Sequence, residues 1–292
     1  MKKIPIYSIC NLHNEDNHEI VVTDLRTYLQ SLQSLVFPHR HSFYQILYIT
    51  RPGGRHVIDF ESYPVEKGTV FFLTPGQIHE WIFDNDTDGI LVNFGMPFFS
   101  TFLANSNYLS NLLFFSLNGK HSVVGFPDDV SDIDSLFHQM LSEYRLQEEG
   151  CLDMLRALLL QVFILANRKK QSHGQQKSPY QYSQLISFEK LIEQFYTKKK
   201  LPKEYAEMLF ITPNYLNTLC SKLTGRSAGD LIRNRILLEA KRLLVNSTLS
   251  VSEIAWELNF ENNSYFSRFF KKYEGISPEK FKKIKHSNKD LI

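Results

Sequence analysis

The sequence predicts an α+β protein of two domains, with a β-rich N-terminal half and an all-helical C-terminal half. Between residues 37 and 94 the apolar residues come in short runs separated by turn signals, which is the rhythm of β-strands. In 204–227 and 253–277 one pattern of helix, turn and helix occurs twice, and Gly225 and Gly275 occupy matching positions. This duplication indicates two copies of one structural unit.

Charge divides the chain into the same two halves. Residues 178–292 contain 19 Lys and Arg against 12 Asp and Glu, a balance of +7, and residues 1–177 contain 14 against 19, a balance of −5. The balance of +2 for the whole chain therefore hides a basic half joined to an acidic half. The 292 residues with 43% apolar content are enough for two ordinary cores.

The strands of the N-terminal half bring several polar side chains to common faces. The predicted runs are 43–50, 55–60, 68–73, 79–83 and 90–94. Alternate residues of a strand point to the same face, so His39, His41 and Gln45 share one face, and His79 and Trp81 share another. If both faces look into one interior, imidazoles, an amide and aromatic rings line it.

Two helices and a linker follow the strands. The spacing of apolar residues predicts one helix over 130–144 and a second, apolar on more than one face, over 152–166. The second helix needs a covering partner, either within the chain or from a second copy. Residues 167–184 lack apolar periodicity and are predicted to be a linker between domains.

The sequence shows no signal of export or of a membrane span. The most apolar window, 152–166, is interrupted by Asp153 and Arg156 and is too short to span a bilayer. The three cysteines are scattered without the spacing of metal ligands. We therefore expect a reduced, cytoplasmic protein with no membrane partner.

Each copy of the duplicated pattern carries a polar stripe on its second helix. In the first copy Thr212 is a candidate N-cap, Pro213 suits the first helical position and Gly225 suits a left-handed end. The first stripe is small, amide-rich and hydrogen-bonding, and the second is mostly cationic, so both suit base edges and phosphates of DNA. The stripes are Asn214, Asn217, Thr218, Ser221 and Lys222 in the first copy, and Ser264, Ser267, Arg268, Lys271 and Lys272 in the second.

A single connecting helix is predicted between the two copies, over 228–245. About 18 residues at ~1.5 Å each give a length of ~27 Å. Successive major-groove openings on one side of a duplex are ~34 Å apart. A rigid helix of this length can therefore hold two DNA-reading helices on adjacent grooves.

The region from about 185 to 285 resembles the DNA-binding domain of AraC/XylS-type transcription regulators. The matching signature is Ile254-Ala255 through Phe260, then Tyr265-Phe266-Ser267-Arg268-Phe269-Phe270-Lys271-Lys272, then Gly275-Ile276-Ser277-Pro278 and Phe281. The turn of the second copy has Asn259 where the family usually has Gly, and Asn tolerates positive φ well. The first copy has Cys220 and Ser221 where the family often has an aromatic residue and Lys.

The resemblance implies a role for each candidate DNA contact. The expected base readers are Asn214, Asn217, Thr218, Ser264, Ser267 and Arg268. The expected phosphate contacts are Lys222, Arg233, Lys271 and Lys272. Phosphate contacts would supply affinity and salt dependence, and base contacts would supply selectivity.

The N-terminal half is similar to the small cupin-like β-barrel that forms the sensor half of many AraC-type regulators. Cupin enzymes typically hold a metal with a His-x-His pair, a nearby Glu and a later His. His39, His41 and His79 fit three of these positions, but Gln45 replaces the carboxylate, so we expect no metal and no other cofactor. The favoured reading is an effector pocket formed by these four residues and Trp81. A packed interior with hydrogen-bonded histidines and a metal site are the alternatives.

Together these features predict a sequence-specific transcription regulator rather than an enzyme. We expect a sensing and dimerisation domain in 1–166, a linker in 167–184, a DNA-binding domain in 185–285 and a tail in 286–292. The expected partners are promoter DNA, a small-molecule effector, a second copy of the chain and RNA polymerase. A metal-dependent cupin enzyme joined to a DNA-binding domain, or an architectural DNA binder without a ligand, would be the alternatives.

Overall fold

The structure, a computed structural model, describes residues 5–9, 19–31, 38–100, 108–109, 112–115, 122–127, 130–172 and 179–287. The chain divides into two compact units, one within Pro5–Gln176 and one within Lys177–Ile292. Residues 173–178 of the predicted linker, residues 288–292 of the predicted tail and Cys10 lie outside the described residues.

Two sheets of five strands each are present in the described part of the N-terminal unit. The strands are β1 (Ile6–Tyr7), β2 (Ile20–Asp24), β3 (His39–His41), β4 (Tyr44–Arg51), β5 (Arg55–Ile58), β6 (Glu61–Pro64), β7 (Thr69–Leu73), β8 (Ile78–Ile82), β9 (Asp88–Phe94) and β10 (Val123–Gly125). The first sheet has the order β1-β3-β8-β5-β6, and the second has the order β10-β7-β4-β9-β2. Only the β1–β3 pair is parallel among these described strands.

The core of this unit lies between the two sheets. Ile58 and Trp81 of the first sheet pack with Leu47, Phe71 and Leu91 of the second. The other face of the second sheet packs against helices, so this sheet is buried on both faces and its strands are apolar almost throughout. The β-rich, mixed α+β fold is confirmed, but the described strands form two facing sheets rather than one closed barrel.

The helices of the N-terminal unit include the two that the sequence predicts. They are α1 (Leu25–Ser31), α2 (Met96–Ser100), α3 (Val130–Leu146) and α4 (Cys151–Ser172). Helices α3 and α4 pack on each other and on the second sheet through an apolar cluster that includes Phe137 and Phe163. Helix α4 continues into the predicted linker, because Arg168 and Lys169 are good helix formers and no Gly or Pro interrupts the chain before Gly174.

The C-terminal unit is all helical in its described residues and contains both copies of the predicted pattern. Its helices are α5 (Pro179–Phe195), α6 (Pro202–Met208), α7 (Pro213–Thr224), α8 (Ala228–Asn246), α9 (Val251–Glu257), α10 (Asn263–Glu274) and α11 (Pro278–Ser287). The α6–α7 and α9–α10 pairs are the two helix-turn-helix copies, and α8 connects them. Helix α5 begins at Pro179, a favoured first helical residue, so the far end of the predicted linker is helical too.

The turns within the two copies depend on left-handed backbone. Gly225 and Gly275 end α7 and α10 with φ of 72° and 82°, as their spacing predicts. Asn259 has φ of 52° between α9 and α10, and Phe210 has φ of 55° at the equivalent place between α6 and α7. Among the described residues no helix is both long enough and apolar enough to cross a lipid bilayer.

Candidate functional site

The first reading helix, α7, exposes three of its candidate DNA contacts. Thr212 Oγ1 accepts a hydrogen bond from the backbone N–H of Tyr215 at 3.2 Å, which fixes the start of the helix. The buried side chains of α7 are Leu216, Leu219 and Cys220. On the opposite side Asn214, Thr218 and Lys222 are exposed. The side of the helix with base-reading chemistry is therefore open to a ligand.

Asn217 has a structural role that its sequence pattern does not reveal. Its side chain is only partly exposed, and its Oδ1 accepts a hydrogen bond from the backbone N–H of Ala228 at 3.1 Å. Ala228 is the first residue of α8, whose first N–H groups have no partner within the helix. Asn217 thus ties the first reading helix to the connecting helix, which limits the freedom of its side chain to turn toward DNA.

The second reading helix, α10, presents a cationic surface. Asn262 Oδ1 accepts a hydrogen bond from the backbone N–H of Tyr265 at 2.8 Å, so this helix begins with a cap at the position equivalent to Thr212. The exposed candidates are Ser264, Arg268, Lys271 and Lys272, whereas Ser267 is partly buried and its hydroxyl lies 3.4 Å from Asn263 Oδ1. Within 179–287 no carboxylate pairs with Arg268, so its guanidinium is available to a ligand.

Arg233 is held within the protein at the junction of α8 and the second copy. It forms an ion pair with Asp230 and lies over the ring of Tyr273 at 5.5 Å. Asp230 completes a capping box with Ser227, and the hydrogen bond from Ser227, followed by that from Arg233, lowers the pKa of its carboxyl. A phosphate contact by Arg233 would therefore have to compete with these partners.

Arg235 connects α8 to α5 by buried ion pairs. Its Nε lies 2.8 Å from Glu193 Oε2 and its Nη1 lies 2.9 Å from Glu239 Oε2. The guanidinium stacks over the ring of Tyr196 at 3.9 Å, and the side chain is only 6% exposed. The sequence shows Arg235 as one more cation of the basic half, but the structure gives it a stabilising role rather than a DNA contact.

Lys200 joins the two helix-turn-helix copies directly. It precedes α6 of the first copy, and its Nζ donates a hydrogen bond of 2.5 Å to the backbone carbonyl of Asn259, in the turn of the second copy. The same ammonium lies 3.8 Å from the centroid of the Phe260 ring. Burial lowers the pKa of Lys200. We call this contact the Lys200 clamp; sequence analysis could not find it because it joins residues about 60 positions apart.

Replacing Lys200 with methionine should loosen the two copies relative to each other. We expect the free energy of DNA binding to fall by about 1 kcal/mol, equivalent to roughly fivefold in affinity. We also expect the variant to discriminate less between operators that differ in half-site spacing. Lys199→Met is the matched control, because Lys199 forms only a long ion pair with Glu204 at 3.9 Å. Fluorescence anisotropy with a series of operators of different half-site spacing measures both the affinity and its dependence on spacing. Equal spacing profiles for the two variants would contradict the role of the clamp.

Four histidines meet inside the N-terminal unit. His39 and His41 lie on β3, His56 on β5 and His79 on β8, and all four are almost completely buried. His41 Nε2 lies 2.8 Å from His39 Nε2 and 3.3 Å from His79 Nε2. His56 Nε2 lies 3.1 Å from His79 Nδ1. We call these residues the histidine cluster; sequence analysis found three of its members and missed His56.

Burial favours the uncharged form of three members of the cluster, His41, His56 and His79, by lowering their pKa. It lowers the pKa of His41 and His79 well below the ordinary value for histidine and lowers the pKa of His56 to about 3, and neighbouring histidines lower each of them further. An uncharged imidazole presents one lone pair and one N–H. These three imidazoles can therefore accept or donate hydrogen bonds as neutral groups.

The other two predicted pocket residues lie in the same interior. Gln45 donates from Nε2 to Asn93 Oδ1 at 3.0 Å, and both side chains interact with the hydroxyl of Tyr28. Tyr28 also packs edge-on against Trp81, whose ring lies 5.3 Å from that of His79. The structure thus places all five predicted pocket residues in one buried region, between the sheets and beside an amide pair.

A separate surface cavity of about 570 Å³ lies at the turn between α3 and α4. Its lining includes Glu19, Tyr144, Gly150 and Arg156. Arg156 pairs with Glu19 at 3.2 Å and with Asp153 at 2.7 Å, so its charge is already neutralised. Sequence analysis did not predict this cavity, which lies on the helical side of the second sheet.

The geometry defines a class of protein, namely a DNA-binding transcription regulator with a ligand-binding domain. A family model described as an AraC-like ligand binding domain matches residues 24–172, just over half of the chain, and a helix-turn-helix domain model matches residues 205–284. The chain belongs to the AraC family of transcription regulators.

Two relatives and one solved structure illustrate what the chain is similar to. The transcriptional activator RhaR of Mannheimia succiniciproducens is 23% identical over 249 residues, covering 84% of this chain and 87% of that protein. The transcriptional regulatory protein YesN of Bacillus subtilis is 40% identical over 80 residues, 26% of this chain and 22% of that protein. Among solved structures, ToxT from Vibrio cholerae has a TM-score of 0.43 at 14% identity, covering 82% of this chain and 88% of that chain.

Proposed function

We propose that α7 and α10 read adjacent major grooves of one promoter and that a small molecule bound between the two sheets controls this binding. The observation that carries the proposal is the matched pair of capped helices, each with an exposed polar face, joined by one helix of 19 residues. At ~1.5 Å per residue this helix is about 28 Å long, which suits neighbouring groove openings on one side of a duplex.

Base reading is assigned to exposed polar residues of the two faces and to the partly buried Ser267. These residues are Asn214, Thr218, Ser264, Ser267 and Arg268, with Lys222, Lys271 and Lys272 on phosphates. Asn217 is better placed to position α7 than to read a base, because its side chain is partly buried and is held by a hydrogen bond to the start of α8. Arg233 likewise stabilises the junction with Tyr273. We assign no catalytic role to the chain, because the relatives named above are transcription regulators.

Replacing Arg268 with alanine tests the reading of the second half-site. If its guanidinium contacts a guanine, the change should cost about 1–3 kcal/mol on the preferred operator, roughly 5- to 150-fold in affinity, and should relax selectivity at one base pair. Lys272→Ala is the matched control, since loss of a phosphate contact weakens all sequences and lowers the salt slope by about one. Anisotropy titrations on the operator and on duplexes with single base-pair substitutions distinguish a base contact from a phosphate contact. Uniform weakening by Arg268→Ala would assign it to phosphate instead.

Regulation requires that binding of the effector to the N-terminal unit changes DNA binding. We propose that the chain acts as a homodimer through the α3–α4 hairpin, where Leu152, Met154 and Ile164 are large, apolar and exposed. We also propose that the dimer recruits RNA polymerase to the promoter. Footprinting with and without candidate effectors, together with sedimentation of the full chain, tests both parts. Ligands that bind the protein raise its melting temperature. If none of them changes operator occupancy, the proposal that an effector controls DNA binding is wrong.

A further inference from the structure

We propose that Lys280 and Lys283 of α11 bind DNA phosphates at the second half-site and so add a contact surface outside the two helix-turn-helix copies. The inference rests on the proposed binding of DNA by α7 and α10. It gives a DNA-binding role to a helix that carries neither reading face. We call these two residues the α11 lysine pair.

The duplication continues into the helix that follows each copy. A turn of three residues leads from α7 to α8 and from α10 to α11, and each turn ends with a serine. Ser227 Oγ accepts a hydrogen bond from the backbone N–H of Asp230 at 3.1 Å, and Ser277 Oγ accepts one from that of Lys280 at 3.2 Å. The start of α11 is therefore the counterpart of the start of α8, with Lys280 in the place of Asp230.

The two counterparts differ in charge. At the start of α8, Asp230 forms an ion pair with Arg233, so the two charges cancel. The same two places of α11 hold Lys280 and Lys283, and both residues are exposed. Among the described residues of the C-terminal unit no carboxylate forms an ion pair with either lysine, including Glu279 one turn before Lys283. The second copy thus presents two cations where the first has an internal ion pair.

Lys280 stands where a cation destabilises its own helix. The first turn of a helix exposes backbone N–H groups and the positive end of the helix dipole, so carboxylates stabilise this turn and cations destabilise it. Asp230 completes a capping box at the start of α8, and Glu253 completes one at the start of α9. Lys280 cannot do so, because an ammonium group accepts no hydrogen bond. An exposed residue that opposes local stability is typical of a binding surface.

The opposite side of α11 fixes this helix on the second copy. Phe281 is only 4% exposed, and its ring lies 5.4 Å from that of Phe270 on α10. Lys282 Nζ donates a hydrogen bond of 2.6 Å to the backbone carbonyl of Leu249, so this lysine is already engaged. The two members of the α11 lysine pair are three positions apart and are neighbours on the helix surface. An anchored helix therefore holds two adjacent cations in a fixed place.

The chemistry and position of the pair suit phosphates of the second half-site. A lysine ammonium is a point charge on a flexible stem, which favours phosphate over the bidentate contacts that read bases. Only residues 273–277 separate Lys272, a proposed phosphate contact at the end of α10, from the start of α11. Because α8 joins the two copies and α11 follows the second, the phosphates within reach of the pair belong to the second half-site.

The first test is the salt dependence of DNA binding by the full chain. Each phosphate contact contributes about 0.9 to the slope of log affinity against log salt. For the double variant Lys280→Gln/Lys283→Gln we expect the slope to fall by about two and the affinity to fall roughly 10- to 30-fold at about 0.15 M salt. Lys67→Gln is the control, since Lys67 is an exposed cation of the N-terminal unit. A wild-type slope in the double variant overturns the inference.

A further variant separates a DNA contact from a structural role. Lys280→Asp reproduces the residue of the first copy and restores the capping box with Ser277, so the melting temperature should rise by about 1–2 °C. DNA binding should nevertheless weaken at least as much as in Lys280→Gln, because a carboxylate repels phosphate. Unchanged DNA binding would contradict the inference. A loss of both stability and DNA binding would assign Lys280 a structural role instead.

Ethylation interference locates the phosphates. Ethylation neutralises single phosphates, and we expect one or two positions at the second half-site to impair binding of the wild-type chain but not of the double variant. All other sensitive positions should be the same in both proteins. Identical interference patterns would show that the pair contacts no phosphate.

Salt slopes on an unrelated duplex separate this inference from the proposed function, because phosphates carry no sequence information. If the wild-type chain prefers an operator and the double variant keeps its slope, the α11 inference fails and the regulator stands. If the wild-type chain binds all sequences equally but the double variant loses slope, the phosphate contact stands and the proposed sequence-specific function fails. If the wild-type chain binds no DNA, both fail.

Discussion

Replacing Arg235 with methionine should lower the free energy of unfolding of the C-terminal unit by about 3 kcal/mol. Removing one partner of a buried ion pair leaves the other charge without compensation, which typically costs about 3–5 kcal/mol. The lower end applies here, because Glu193 and Glu239 are 29% and 22% exposed. Burial raises the pKa of Glu193 and Arg235 opposes this effect, so the variant should also move that pKa upward. Calorimetry of the full chain measures the change.

The control for this prediction lies two residues away on the same helix. Arg233 is 35% exposed and pairs with Asp230, which is 45% exposed, so Arg233→Met should cost about 1 kcal/mol or less. Adding Glu193→Gln to Arg235→Met should recover part of the loss, because it removes the uncompensated charge. A double-mutant cycle with a coupling energy near zero would show that Arg235 acts through packing alone.

Acid should destabilise the N-terminal unit by about 4 kcal/mol between pH 7.5 and pH 5.5. In the unfolded chain His41, His56 and His79 take up protons near pH 6.5, but burial lowers the pKa of each in the folded chain, for His56 to about 3. The unfolded state therefore binds more protons as the pH falls below 6.5, and the three histidines together account for the loss of about 4 kcal/mol over this interval. The stabilisation is fully present above pH 6.5 and is lost as the pH falls toward the folded values.

Urea titrations of chelator-treated protein at a series of pH values measure this loss. The chain has two tryptophans, and Trp81 lies beside the cluster while Trp256 is 81% exposed in the other unit. Fluorescence of a Trp256→Phe variant therefore reports on the N-terminal unit alone. A His138→Gln variant should keep the full pH dependence. An unfolding midpoint that stays constant between pH 7.5 and 5.5 would refute the buried, neutral state of the cluster.

Local signals in the sequence were enough to predict the C-terminal unit. The caps at Thr212, Gly225 and Gly275 act over three or four residues, and the duplication repeats the same signals 50 positions later. Asn259 adopts the positive φ that its residue type allows. The N-terminal helices were likewise predicted from their periodicity. The end of α4 was placed too early, because a polar stretch can stay helical when its residues have high helix propensity.

Contacts between distant residues could not be predicted in this way. His56 stands in a strand of mixed polarity with no histidine spacing around it, and it joins the cluster only because β5 pairs with β8. Asn217 resembles its exposed neighbours on α7, yet its partner lies at the start of the next helix. The separation of the strands into two sheets depends on which strands pair, and alternation of residue types does not determine that pairing. The residue-level assignments on DNA, the domain limits and the dimer stay predictions.

Strand β4 belongs to the sheet that is buried on both faces, and its side chains therefore belong to two environments. Leu47 points into the layer that contains Trp81, beside the histidine cluster, and Tyr48 points to the opposite side, where its hydroxyl donates to Asp134 of α3 at 2.9 Å. Because close-packed layers resist compression, a displacement of about 1 Å on one side of this strand must be relieved on the other. A displacement of side chains in the histidine cluster would therefore be transmitted to the α3–α4 hairpin by strand β4 alone.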